Sequence, residues 1–469
     1  MTADFAAESI ESGLSLSLDL FSAEKLGRHF GGEEAGMDRL GYGSNETEAH
    51  QIVLDAAASL GLEAYQDLAG NLYMVLPGQD RNKPAFLIGS HLDAVQKGGA
   101  YDGPAGVVSA LSAVKMLRQA GLTPPHDVVV VVWRCEESPN FKQFGLGSGL
   151  ATGIFDEKVL DRENLAGQKL RDVLPATYLG DGDKGKRFKL LIEYIKAKKG
   201  LFDPASIESA LEIHIEQSPD LLQSGKSLGI VSAIRGNVRF PKIEFKGIAQ
   251  HTGGGEMKDR RDAGLMYLQF ASGVQAVAER LMKRGKDIVY SFPKLEQEPN
   301  NATTTPFRVR CGFEARSDDR RVLQKMGRAV MQALEDLEKT YPAPCCFQMD
   351  EINDTSPSMM DGCVRRALLD ISGELGFSCM ELKSGAGHDI MRLEALRIPT
   401  GLLFIRHSGV SHNPKEDLCA GDPFASESDY AKAVRVAAEM MLRDGSCDRP
   451  KDNSFVASLM DNHAVRLTV

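Results

Sequence analysis

Four apolar runs along the chain end abruptly in polar residues: "AFLIGSHLD" (85–93), "DVVVVVWRCEE" (127–137), "ALEIHIEQ" (210–217) and "TGLLFIRHSGVSHNP" (400–414). Runs of this kind, rich in β-branched residues and unbroken by polar alternation, suit strands buried on both faces of a mostly parallel sheet covered by helices. Helical periodicity lies between them. It predicts a helix over 104–119, ended by Gly121, and another over 425–443, opened by Ser426 with Asp429 three residues on. In such an α/β fold ligands collect beyond the carboxyl ends of the strands. All four polar clusters fall there, so the pattern points to one site assembled from four distant segments.

From about 229 to 354 the pattern changes. "GIVSAIRGNVRFPKIEFKGIAQ" and "FRVRCGFEARS" alternate apolar and polar positions, as strands with one wet face do, and helices near 258–284 and 318–340 separate them from a last strand, "CCFQMDEI". The expected organisation is a catalytic domain (1–228 and 355–469) with an inserted α+β domain (229–354) and a C-terminal extension. At 469 residues the chain is too long for one ordinary core, which agrees with this division. There is no internal repeat. The basic segment 183–200 reads as a solvated helix face, and the tail "DGSCDRPKDNSFVASLMDNHAVRLTV" carries no clear periodicity.

Composition narrows the function class. Hydrophobic residues make up 42% and charged residues 26%, with no apolar run of the ~18 residues that span a bilayer. The N-terminus is acidic and amphipathic and lacks the basic start and cleavage site of a signal peptide, so a cytoplasmic protein with no membrane partner is expected. A net charge of −10 argues against nucleic acid, whose binding needs a basic face. The eight cysteines form no CxxC pair, and Cys345 and Cys346 are adjacent; all are read as reduced thiols.

The chemistry sits in His91, Asp102, Glu136, Glu137, His214 and His412. A mixed set of imidazoles and carboxylates suits zinc, or manganese, cobalt or nickel, and a carboxylate such as Asp102 can bridge two ions. The glycines of "KGGAYDGPAG" let Asp102 turn back toward an ion held by His91, and Asp93 is placed to hold that imidazole from behind. Adjacent glutamates cannot both ionise when buried without a counter-charge. A metal on Glu137 would supply it and leave Glu136 free as a general base. Spacing alone leaves open the alternatives of core histidines and a solvated "EE" turn. No GxSxG elbow supports a serine hydrolase, and "GLGSGLATG" (145–153) follows no strand that would make it a nucleotide loop.

"GSHLDAVQKGGAYDGPAGV", "CEESPNF", "LEIHIEQSP", "GIAQHTGGGEMKDRRDA", "SGAGHD" and "GVSHNP" occur in the order seen in the amidase (hydantoinase/carbamoylase) branch of the M20 metallopeptidase family, which this chain resembles from about 40 to 440. The resemblance implies two divalent ions per subunit, zinc foremost, with His91 and His214 on one, Glu137 and His412 on the other, Asp102 bridging and Glu136 as base. It implies substrate contacts for Gln217, His388 and Arg316, the last gripping a carboxylate. His251 would polarise the scissile carbonyl, and the inserted domain would serve as lid and homodimer interface. The expected activity is cleavage of a linear C–N bond in a small N-substituted amino acid, first an N-carbamoyl-L-amino acid, otherwise allantoate, a β-ureido acid or an N-acyl compound. An aminopeptidase or a non-catalytic metal-binding protein ranks below these. Departures cluster in the inserted domain: "HTGGGEM" (251–257) where relatives commonly read "HAGTTPM", and "TTTPF" (303–307), which puts Thr303 where an asparagine is usual. Asn140 also stands where an arginine is frequent.

Overall fold

Each of the four valine- and isoleucine-rich runs becomes a buried strand whose last residues reach one edge of a sheet. The computed structural model describes residues 3, 5–27, 36–341, 346–350, 352–407, 411–418, 422–443 and 453–468. In chain order the elements that matter here are helix α1 (Ala7–Leu20), strands β1 (Glu63–Gln66), β2 (Leu72–Leu76) and β3 (Ala85–His91), helix α2 (Pro104–Gln119), and strands β4 (Val128–Trp133), β5 (Ile207–Ile215) and β6 (Leu228–Ile234). Strand β7 (Gly236–Lys246), helix α3 (Ala263–Met282), strand β8 (Arg308–Ser317) and helix α4 (Arg320–Thr340) follow, then helix α5 (Ile390–Ala395), strand β9 (Thr400–Ile405) and helix α6 (Asp429–Leu442). Contacts divide the chain into two compact units, Met1–Ser232 with Met360–Val469, and Ala233–Met359.

The first unit is built on a ten-stranded sheet. Its centre, in the order β9-β5-β3-β4, is parallel. All four carboxyl ends therefore open on the same edge. Antiparallel strands extend it on both sides: β2 and then β1 beyond β4, and β6 beyond β9. The apolar periodicity of α2 buries Val107, Val108, Leu111 and Val114 in a core shared with Leu14 and Leu16 of α1 and Val434 of α6. Gly106 permits the closest approach, since a Cβ there would lie 1.9 Å from the Ile213 carbonyl oxygen of β5. Buried hydroxyls lock the three helices: Ser17 Oγ lies 2.6 Å from Ser112 Oγ and 3.0 Å from Tyr430 Oη.

In the second unit β7 and β8 pair antiparallel within a six-stranded sheet. The apolar stripe of α4 (Val322, Met326, Val330, Leu334, Leu337) and Phe270 of α3 pack on Phe240, Phe245 and Phe313 of the sheet.

Three readings of the pattern change. Helix α6 starts later than expected, with Ser428 rather than Ser426 as its cap, Ser428 Oγ accepting from Ala431 N at 3.0 Å. The basic segment forms a helix, Lys184–Lys196, but not a wholly solvated one: buried Arg187 donates to Gln66 Oε1 at 3.0 Å and lies 4.0 Å over the Tyr178 ring. The tail is not structureless. It holds a helix, Phe455–Asp461, and a strand, Val465–Leu467, that pairs antiparallel with β1. Among the described residues no helix is long and apolar enough to cross a membrane. Cys135, Cys311, Cys346, Cys363 and Cys379 are free thiols; Cys345, Cys419 and Cys447 lie outside the described residues.

Candidate metal centre

At the shared edge of the parallel strands two donor groups meet on one carboxylate. His91, Asp102 and His214 form the first, and Asp102, Glu137 and His412 the second. His91 ends β3, and His214 lies in the last turn of the pleat on the neighbouring strand β5. Asp102 returns to them through Gly103, whose φ of +85 starts α2; a Cβ on that glycine would sit 2.4 Å from the His91 ring. Asp102 Oδ1 lies 3.1 Å from His214 Nε2 and 3.9 Å from His91 Nε2, while Oδ2 lies 3.3 Å from His412 Nε2. Glu137 Oε1 completes the second group at 3.1 Å from His412 Nε2.

The imidazoles are oriented from behind. His214 Nδ1 lies 2.9 Å from the Ile215 carbonyl, and His91 Nδ1 lies 3.1 Å from the Asp93 carbonyl and 3.3 Å from Asp93 Oδ1. Only a protonated Nδ1 can bond these acceptors, so both Nε2 atoms turn lone pairs inward, 3.3 Å apart. Two nitrogen lone pairs and a carboxylate oxygen converging on one point form a donor set for a divalent cation.

The titration directions say the same. Burial pushes the His91 and His214 imidazoles down, but both end above the ordinary value: the Asp93 hydrogen bond and the Glu136 charge lift His91, and Asp102 lifts His214. His412 is raised to about 9 by its bond to Glu137. Asp102 stays well below the usual carboxylate range, because the three histidines outweigh its burial. Burial drives Glu136 far above its ordinary value, with Glu137 adding to the effect, and it raises Glu137 against the bond to His412. The pocket is short of positive charge.

Glu136 and Glu137 owe their placement to a reversal of the chain beyond β4. Cys135 adopts φ +51, a left-handed conformation costing a non-glycine residue ~1–2 kcal/mol. Its N–H is held by buried Glu46 Oε1 at 2.8 Å, and Glu46 Oε2 pairs with buried Arg134 at 2.9 Å. The turn aims two successive N–H groups at one carboxylate: Glu136 N donates to Asp93 Oδ1 at 2.9 Å and Glu137 N to Asp93 Oδ2 at 3.0 Å. Asp93 thus joins the His91 imidazole to the backbone of both glutamates.

Gln217 and His388 also reach this centre. Gln217 Nε2 lies 3.3 Å from Asp102 Oδ2, and Gln217 Oε1 accepts from Ser411 Oγ at 2.6 Å. The buried His388 ring packs edge-on at 4.6 Å from that of His214, with Nε2 3.0 Å from Ser384 Oγ. Burial holds it well below the ordinary histidine value, so it is neutral. Asn140 spends both ends of its amide on the chain, donating to the Gly41 carbonyl at 2.7 Å and accepting from Leu165 N at 3.4 Å.

His251, Thr303 and Arg316 belong to the second unit. There the two departing motifs lie side by side: Thr252 N donates to the Thr303 carbonyl at 2.8 Å, Thr305 N to the Gln250 carbonyl at 2.8 Å, and His251 faces Thr304 in an antiparallel bridge. His251 and Thr303 are exposed, and Arg316 Nε donates to Glu314 Oε1 at 2.7 Å.

The buried carboxylates Glu416 and Glu212 also brace the site without having been singled out from the sequence. Glu416 Oε1 accepts from Tyr101 N and Asp102 N, both at 2.8 Å, which fixes the loop carrying the shared carboxylate; burial, with the Asp102 charge adding, raises it to about 7. Glu212 accepts from Ser90 Oγ and from Ile390 N, each at 2.9 Å, tying β3 and the start of α5 to β5. Its position two residues before His214, hence on the same face of the strand, was the available signal.

The profile described as Peptidase family M20/M25/M40 matches residues 87–443. The allantoate amidohydrolase of Bacillus subtilis (strain 168) is 30% identical over 403 residues, covering 84% of this chain and 90% of that protein. The N-carbamoyl-L-amino acid amidohydrolase of Geobacillus stearothermophilus is 28% identical over 392 residues, covering 82% and 91%. In fold, the chain is similar to a hydantoinase/carbamoylase family amidase from Burkholderia multivorans, with a TM-score of 0.77 at 24% identity over 92% of this chain and 98% of that one.

Proposed function

The chain belongs to peptidase family M20/M25/M40, as an amidohydrolase acting on linear C–N bonds, and from that premise we propose that it removes the carbamoyl group of an N-carbamoyl-L-amino acid with the help of two divalent ions. The carrying observation is the pair of donor groups that share Asp102, with Glu136 directly beside Glu137. Two ions, zinc foremost, would be held by His91 and His214, by Glu137 and His412, and jointly by Asp102. Bound there, they supply a Lewis acid for the scissile carbonyl and lower the pKa of water.

The protein's own groups supply the rest. Glu136, free of the donor groups and driven high by burial, takes the proton of the attacking water and passes it to the leaving nitrogen. Asp93 keeps it in line through the backbone, and neutral His388 offers the substrate a hydrogen bond without adding charge. Following the resemblance, Gln217 binds the substrate's polar head, His251 steadies the tetrahedral oxyanion and Arg316 holds the carboxylate. Thr303 cannot present the paired donor and acceptor of an amide, so the head group it meets differs from that of relatives with asparagine. The same reading makes the enzyme a cytoplasmic homodimer through the inserted domain.

A second substrate, allantoate, is favoured by the 30% identity to the Bacillus subtilis enzyme. Ammonia release from N-carbamoyl-L-amino acids, allantoate and 3-ureidopropionate, set beside release of the free amino acid from N-acetyl amino acids, separates these readings. Glu136→Gln is expected to lower the rate by about 10²–10⁴ with metal content unchanged. Full activity in that variant, or turnover of dipeptides alone, refutes the proposal.

A further inference from the structure

The second unit carries a groove unrelated to the donor groups of the first. It lies between α3 and α4, has a volume of about 320 Å³, and is walled by Arg280 and Arg284 on one side and by Lys325 and Arg328 on the other. Val277, Leu281 and Ala329 form an apolar floor. None of the four cations has an acidic partner among the described residues.

On a chain of net charge −10 such a concentration is unexpected. Arg280 lies in the last turn of α3 and Arg284 in the turn just after it, while Lys325 and Arg328 are spaced i, i+3 on α4, where like charges disfavour a helix. The helix dipole accounts for one wall only. Cations at the end of α3 are favoured there, but Lys325 and Arg328 lie beyond the first turn of α4, out of reach of that effect. Among the described residues no acidic one lines the groove, so a two-fold contact made through the groove alone would set cations against cations. Guanidinium forks match phosphate oxygens, and an apolar floor between two cationic walls matches a flat base. The volume stands at the lower end of small-molecule sites, about 300–1,000 Å³.

We propose that the α3–α4 groove binds a nucleoside diphosphate, its phosphates between Arg280, Arg284, Lys325 and Arg328 and its base over Val277, Leu281 and Ala329.

The test uses the full-length, metal-loaded protein and ADP carrying a fluorescent N-methylanthraniloyl group, read by anisotropy near physiological salt. Saturable binding, displaced by unlabelled ADP, is expected. The double variant Arg284→Gln, Lys325→Gln should weaken it by about tenfold or more while amide hydrolysis is unchanged. Should the double variant fail to fold, Arg328→Gln alone, exposed on α4, is expected to weaken binding by about threefold or more. Absence of saturable binding overturns the proposal. So does binding that these variants retain in full, which would put the nucleotide elsewhere on the protein.

Discussion

Asp93 is the most informative single position to perturb. Its carboxylate is fully buried and receives three N–H donors: those of Glu136 and Glu137, at 2.9 and 3.0 Å, and the His91 Nδ1 proton, at 3.3 Å from Oδ1. In Asp93→Asn the shape is kept but one oxygen becomes an NH₂, which must face a donor. One hydrogen bond to a charged group is lost, worth about 1.5–3 kcal/mol, and a donor is left buried against a donor. Folding stability should fall by about 2 kcal/mol. Because the neutral amide also removes the negative charge that stands 3.3 Å behind the His91 imidazole, affinity for the ion should fall by about 10–100-fold. Metal content after dialysis against a graded series of chelator concentrations reads the second effect, and urea unfolding reads the first. A variant that lost stability yet kept its metal-binding midpoint within about twofold would show that Asp93 braces the loop without tuning the donors, refuting the reasoning.

Gly103→Ala should strip the protein of metal more than it unfolds it: the new Cβ meets the His91 ring at 2.4 Å, and φ of +85 adds a backbone cost of about 1–3 kcal/mol, both readable by metal analysis and thermal melting. Glu46→Ala leaves buried Arg134 without its carboxylate and should cost about 3–5 kcal/mol in urea unfolding. His50 is buried with neither ring nitrogen partnered among the described residues, and burial, reinforced by Arg134, holds it well below the ordinary histidine value. The unfolded chain therefore binds a proton that the folded one refuses. The stability it contributes is present above about pH 6.5 and lost below it, at up to about 1.4 kcal/mol per pH unit. His50→Leu should flatten that slope, gaining more stability over the parent at pH ~5.5 than at pH ~7.5.

The strands were legible because burial on both faces writes itself as an unbroken apolar run, and the donor groups because they sit where those runs stop. His91, Asp102, Glu137, His214 and His412 come from segments spread over much of the chain, yet each stands at the end of such a run or within a glycine-rich loop beside one. What escaped reading depends on contacts between distant segments. Nothing in the sequence around Glu416 sets it apart, and only the approach of Tyr101 and Asp102 gives it two N–H donors. The strand Val465–Leu467 is too short to show a period and exists because β1 offers it an edge. Ser426 and Ser428 are equally good caps in composition; the helix takes the second, where Arg406 of a distant segment holds the first helical residue, Asp429, at 2.6 Å.

That terminal strand bears on how the protein is made. Strand β1 at 63–66 is translated long before its outer neighbour at 465–467, and β5 likewise waits for β9 at 400–405. During synthesis the growing polypeptide therefore carries unpaired strand edges until these distant segments have emerged from the ribosome. Premature termination near residue 460 should thus yield a polypeptide that retains every donor residue but aggregates through the exposed edge of β1.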